Sequence, residues 1–217
     1  MKVLYFTQPG CGLFDFKNIL NTNSSCFRKF LNMKNVILEK GRKGDIIFMS
    51  TLKLNRFADV WEVFINKKNS YFMDIKLREQ QESKKQFLNV FSDIIKNGIK
   101  VVLEAPKPIF YTPVYRCVDW FNKLNPICKQ GFDIDKDYLL KYREKVLSNM
   151  MSLGETNGYY IWDNFNDFCP DFKVCNPFST DSNRPIFSDG DHLSPYGNYF
   201  IYNTLIKELV SINFLKN

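Results

Sequence analysis

Residues 87–106 read FLNVFSDIIKNGIKVVLEAP. Two periodicities meet inside this stretch. Phe87, Leu88, Phe91, Ile94 and Ile95 recur at spacings of 3, 4 and 7, which line one apolar face of a helix. Gly98 ends that helix. Lys100–Glu104 then runs as a strand until Pro106 and Pro108 stop it. The same alternation extends outward in both directions. Upstream, Asp45–Ser50 is predicted as a buried strand from its unbroken apolar character. Phe16–Asn32 reads as a loop with a short helix around Cys26–Leu31, and Lys2–Thr7 as a strand leaving into Pro9-Gly10. Downstream, Asp135–Leu153 is predicted helical, opened by Asp135 or Asp137 and closed at Gly154. Tyr159–Trp162 is a further strand, and Pro195–Leu215 contains a last helix with apolar positions at Phe200, Ile201, Leu205, Ile206, Leu209 and Val210. Strands alternating with helices of this length specify an α/β fold with a parallel sheet covered on both faces. Ligands of such sheets bind beyond the carboxyl ends of the strands. That directs attention to Thr7–Gly12, Ser50–Phe57, Ala105–Pro113 and Asp163–His192.

The 217 residues suffice for one domain of ordinary size. An apolar share of 45% beside 24% charged residues excludes a disordered chain. No apolar run approaches the roughly 18–20 residues of a membrane span. The net charge of +7 is unevenly placed: residues 1–100 hold 18 basic and 9 acidic side chains, and residues 101–217 hold 12 and 14. The basic excess is scattered among Asn, Ile and Phe. With no zinc-finger spacing, aromatic RNP-like strand or basic helix with a dimerising heptad, it does not read as a nucleic-acid binder. It reads as a Lys-rich solvated surface, or one attracted to anionic surface polymers or lipid headgroups.

Six cysteines fall as three local pairs: Cys11 and Cys26, Cys117 and Cys128, Cys169 and Cys175. With a single histidine in the chain, a Cys/His zinc site has little to draw on. Each pair could staple a loop, which implies an oxidising compartment. Six buried free thiols in a cytosolic protein is the competing reading. Met1–Phe6 is too short for the apolar core of a signal peptide before Pro9-Gly10 interrupts it. Either the disulfide reading fails, or the sequence is the downstream piece of something longer.

The most informative run is Phe187-Ser188-Asp189-Gly190-Asp191-His192-Leu193-Ser194-Pro195-Tyr196-Gly197. The only histidine stands three residues after Asp189. If the segment makes one helical turn, the Asp189 carboxylate reaches the imidazole. It would fix the tautomer and leave the other ring nitrogen as a general base. Two plainer readings compete: a surface histidine beside a helix cap, and a cation held by Asp189, Asp191 and His192. The spacing does not fit an EF-hand, and one histidine is thin for a transition metal.

The pattern D-x-x-H followed by L-S-x-x-G resembles the last motif block of the SGNH (GDSL-type) hydrolase superfamily. It is most similar to the SGNH domains fused to acyltransferase-3 membrane proteins. In that branch a C-P-x(n)-C segment shortly precedes the block, as Cys169-Pro170 and Cys175 do here. The resemblance implies an SGNH-like three-layer α/β/α sandwich and acyl transfer or esterase chemistry on carbohydrate hydroxyls, acetyl being the usual group. His192 would match the base of the catalytic triad and Asp189 its acid. The implied partners are an acyltransferase-3 type transmembrane domain in the parent protein and a cell-surface polysaccharide acceptor. The implied location is periplasmic or extracytoplasmic, membrane-tethered through the parent protein. No cofactor, metal or nucleic acid is expected.

The departure from the family lies in the nucleophile. Its serine sits in a G-D-S motif after the first strand, and no G-D-S occurs here. Gly44-Asp45-Ile46 is the nearest string, but it enters a strand rather than leaving one. Val3–Thr7 matches the family's second strand, so the first strand, the serine and the first helix are expected to be missing from a single, N-terminally truncated SGNH-like domain over 1–217. The family's oxyanion-hole asparagine follows the third strand, where Asn55 is the weak substrate-binding candidate; a plain loop asparagine is the simpler reading. Cys11, between Gly10 and Gly12, could be a thiol nucleophile for His192 and Asp189, or half of a disulfide with Cys26. The rival from another class is a non-catalytic carbohydrate-binding module, with Trp61, Trp120 and Trp162 as stacking candidates.

Overall fold

The computed structural model describes Leu4, Phe6 and residues 25–50, 77–157, 159–171 and 173–215. In chain order its elements are α1 (Ser25–Lys40), β1 (Ile46–Met49), α2 (Leu77–Lys96), β2 (Lys100–Glu104), α3 (Val114–Cys117), β3 (Ile134–Asp135), α4 (Lys136–Asn157), β4 (Tyr159–Trp162), α5 (Phe165–Phe168), β5 (Val174–Cys175) and α6 (Pro195–Ser211). Strands β1, β2 and β4 lie in that order in a parallel sheet flanked by helices, the arrangement that the alternation predicts. β3 and β5 pair antiparallel as a separate ribbon, with Ile134 opposite Cys175. Among the described residues no helix is long and apolar enough to cross a membrane.

The chain divides into two compact units. The first takes Met1–Ile47, Asn55–Val101 and Leu153–Tyr159. Its core is aromatic. Phe30, Met33 and Ile37 are buried along one stripe of α1, and Phe87, Phe91 and Ile94 along one stripe of α2. Phe30 meets Phe91 edge-on with ring centroids 5.6 Å apart. Phe87 lies 4.5 Å from Phe91 and 5.1 Å from Tyr159. Lys34 Nζ pairs with Asp93 at 2.6 Å. α2 ends as the sequence predicts: Gly98 takes φ 74°, its N–H donates to Ile95 O, and the Ile99 N–H donates to Ile94 O. Those two bonds satisfy carbonyls that a helix end otherwise leaves open.

The second unit takes Phe48–Leu54, Val102–Ser152 and Tyr160–Asn217. Val102, Leu103 and Glu104 are fully buried, and Phe48 packs on Trp162 at 5.9 Å. Phe187 is enclosed by Phe110 at 4.9 Å and Phe168 at 5.3 Å. Arg143 on α4 lies 4.4 Å above the Phe165 ring and bonds Asp163 at 2.7 Å. Asp135 Oδ1 accepts the Tyr138 N–H at 2.7 Å, the cap that opens α4. Two of the three local cysteine pairs are disulfides, Cys117–Cys128 and Cys169–Cys175. The pair Cys11 and Cys26 falls outside the description.

Three expectations need correction. α1 does not stop near Leu31; the apolar stripe continues through Met33 and Ile37, and the interspersed asparagines lie off it. α4 does not close at Gly154 but runs on to Asn157; a glycine inside a helix costs only about 1 kcal/mol. β1 is not a buried strand throughout: Phe48 is 39% exposed, since β1 stands at the end of the described sheet order with β2 as its neighbour. The Lys2–Thr7 strand lies outside the described residues except for Leu4 and Phe6, which are exposed.

Candidate active site

The 187–197 run folds back on itself. Phe187 and Leu193 bridge antiparallel, and the Ser188 N–H donates to His192 O at 2.8 Å. The loop between them is no helical turn, yet Asp189 reaches His192 all the same. The Asp189 side chain closes it instead. Oδ1 accepts the N–H of Asp191 at 2.9 Å and of His192 at 2.8 Å, the local side-chain bonding that aspartate favours in turns. The same carboxylate meets the imidazole: Nδ1 lies 2.9 Å from Oδ2 and 3.1 Å from Oδ1. Asp191 Oδ1 stands 3.0 Å from the same nitrogen.

Both carboxylates can only accept, so Nδ1 carries a proton, and in the neutral ring the lone pair is on Nε2. The His192 side chain is half exposed, and among the described residues none hydrogen-bonds Nε2. Partial burial pushes the Asp189 carboxyl upward, but the two backbone donors and His192 outweigh it and hold the group below its ordinary 3.8. A ligand atom from each of Asp189, Asp191 and His192 lies within 4.8 Å of the others. The ring nitrogen in that cluster is already a donor to carboxylates, which suits an oriented base better than a cation site.

Two tight contacts fix the loop. Gly190 O accepts the Phe110 N–H at 2.8 Å, and a Cβ on Gly190 would lie 2.5 Å from Phe110 O. Ser188 O accepts the Tyr115 N–H at 2.7 Å. The proline-rich segment beyond β2 therefore sets the position of the Asp189 turn. On the other side, Ser194 caps α6: its Oγ accepts the Gly197 N–H at 2.9 Å and donates to Pro185 O. A Cβ on Gly197 would lie 2.0 Å from Ile186 O. The serine and glycine of L-S-x-x-G thus seat the helix, while the aspartate and histidine ahead of them carry the chemistry-bearing groups.

Sequence reasoning missed a buried polar cluster at the strand ends. Lys107 Nζ bonds Glu104 Oε2 at 2.6 Å, and Asn164 Nδ2 donates to Glu104 Oε1 at 3.0 Å. All three residues are buried. The available signal was a lone carboxylate closing an apolar strand, with a lysine three residues on. Asp191 as a second carboxylate on Nδ1 was also missed, although it adjoins His192 in sequence. Asn55, Cys11 and Trp61 lie outside the described residues. Trp162 is 4% exposed and belongs to the core, so it offers no face to a sugar; Trp120 is 81% exposed.

The sequence model of the family described as SGNH domain (fused to AT3 domains) matches residues 1–207. The chain belongs to this family. It is thus an SGNH module of the kind associated with acyltransferase domains, and the family's fusion supports a transmembrane acyltransferase-3 domain as its partner. A search among curated proteins gave no match. The SGNH domain's match includes the 187–197 run, and its parallel sheet with flanking helices is consistent with the family's α/β fold.

Proposed function

We propose that this SGNH domain works on the extracytoplasmic side of a membrane in O-acyl transfer, moving acetyl groups to hydroxyls of a cell-surface polysaccharide. The observation that carries this reading is the Asp189 carboxylate on His192 Nδ1 at 2.9 Å, with the imidazole half exposed. In the proposed cycle a serine hydroxyl attacks the acyl carbonyl while Nε2 takes its proton. The imidazolium that forms is stabilised by Asp189 and returns the proton to the leaving group. The sugar hydroxyl then attacks the acyl-serine, losing its proton to Nε2, and as the acyl–serine bond breaks Nε2 passes that proton to the departing serine oxygen. No G-D-S serine stands in the 217 residues, so the isolated chain is expected to be inactive. The two disulfides support an oxidising compartment.

The test is reconstitution with an acyltransferase-3 domain and a serine-bearing SGNH block, reading base-labile acetate on polysaccharide. His192→Ala is expected to lower transfer by roughly 10²–10⁴-fold, the usual worth of a general base. Transfer that persists in a folded His192→Ala protein would remove the dyad from the mechanism.

A further inference from the structure

Residues 114–128 form a stapled loop whose outer surface nothing in the acyl-transfer reading uses. α3 leads into two short 3-10 turns, Trp120–Asn122 and Pro126–Cys128. The Cys117–Cys128 disulfide ties the ends together, and Thr112 Oγ1 donates to Gly131 O just outside them. Asn125 Oδ1 accepts the Ile127 N–H at 3.1 Å and braces the second turn. On this fixed frame Trp120, Phe121 and Leu124 are 81%, 63% and 88% exposed, with Val118 and Ile127 exposed beside them. Arg116, Lys123 and Lys129 are exposed among these side chains, and among the described residues none of the three is paired with a carboxylate.

We infer that this loop dips into the interfacial layer of an anionic lipid bilayer. A tip of Trp, Phe and Leu with Lys and Arg around it matches that layer, where aromatic rings lie at headgroup depth and basic side chains meet lipid phosphates. A glycan platform fits less well. The Trp120 and Phe121 rings stand at 88° to each other, so they offer no common stacking face, and Leu124 and Ile127 partition into lipid but stack on nothing. Side chains this exposed stand off the surface as points rather than lining a groove for a protein partner. The inference does not depend on the acyl-transfer reading and needs no turnover to be tested. It also has a bearing on the site: the Tyr115 N–H to Ser188 O bond couples the loop to the Asp189–His192 turn, which would hold that turn close to the membrane surface.

The experiment is flotation of the 217-residue chain with vesicles of phosphatidylethanolamine and phosphatidylglycerol, against vesicles of phosphatidylcholine alone. Emission of Trp120 is taken as the difference between the chain and its Trp120→Phe variant, because Trp61 and Trp162 also emit. Binding to the anionic vesicles with a blue shift of Trp120 is expected. Trp120→Ser/Phe121→Ser/Leu124→Ser should lose at least about tenfold in partitioning while its melting temperature stays put, because these side chains are exposed. Arg116→Gln, Lys123→Gln and Lys129→Gln should each lose up to about fivefold at low salt. Absence of binding overturns the inference. So does equal binding by the folded triple-serine variant, which would assign the affinity to basic residues elsewhere. Loss of polysaccharide or acyltransferase-domain binding in that variant, with lipid binding intact, would assign the surface to that macromolecule.

Discussion

At the scale of single residues, the Asp189 carboxylate joins three donors: two backbone N–H groups and an imidazole. Its lowered pKa gives a signed expectation. A depressed folded-state value contributes stability that is fully present above the ordinary 3.8 and is lost as pH falls through the folded value. Asp189→Asn should therefore lower the melting temperature at neutral pH, and the gap to the parent protein should narrow only below pH 3.8. A gap independent of pH down to strong acid would show that the charge contributes nothing. Lys107 offers a second expectation. It is buried against Glu104, and removing one member of a buried pair costs roughly 3–5 kcal/mol; Lys107→Met should show a loss of that size in denaturant unfolding. The dyad was legible because its spacing is short and histidine occurs once in this chain. The Glu104–Lys107–Asn164 cluster was not, because Glu104 and Asn164 are 60 residues apart and only the sheet brings them together.

At the scale of elements, the strongest sequence signals were those in which periodicity and punctuation agree. α2 and β2 combine an apolar stripe, a positive-φ glycine and an unbroken apolar strand, and both appear where expected. α1 was cut short because its asparagine content resembles a loop, although packing of Phe30, Met33 and Ile37 decides the matter. Phe91 is central to that packing, and Phe91→Ala should cost about 3–5 kcal/mol with a lower thermal midpoint. At the head of α6, Ser194→Ala should cost about 1 kcal/mol by removing the cap. Gly197→Ala should cost more, because its Cβ cannot coexist with Ile186 O without moving backbone. If the two substitutions proved equally mild in denaturant titrations, the close approach of α6 to Ile186 would be wrong.

At the scale of the whole molecule, the acid–base groups, both described disulfides and the exposed aromatic loop belong to the second compact unit. Selective reduction of the two described disulfides should therefore act locally. Breaking Cys117–Cys128 removes a loop-closure constraint worth roughly 2–4 kcal/mol, and hydrogen exchange should rise across 114–131 before it rises in α1 or α2. A uniform rise across both units would contradict that division. The fold class was legible because alternation of strand and helix is a whole-chain property that survives local errors.

The seating of α6 carries a further consequence for recognition itself. Ser194 and Gly197 answer to backbone geometry alone, whereas Asp189 both closes its turn and, in the proposed cycle, serves His192. A relative that kept the aspartate turn and the helix seat would keep the shape, so the identity at 192 is the one to inspect when asking whether it still holds the proposed base.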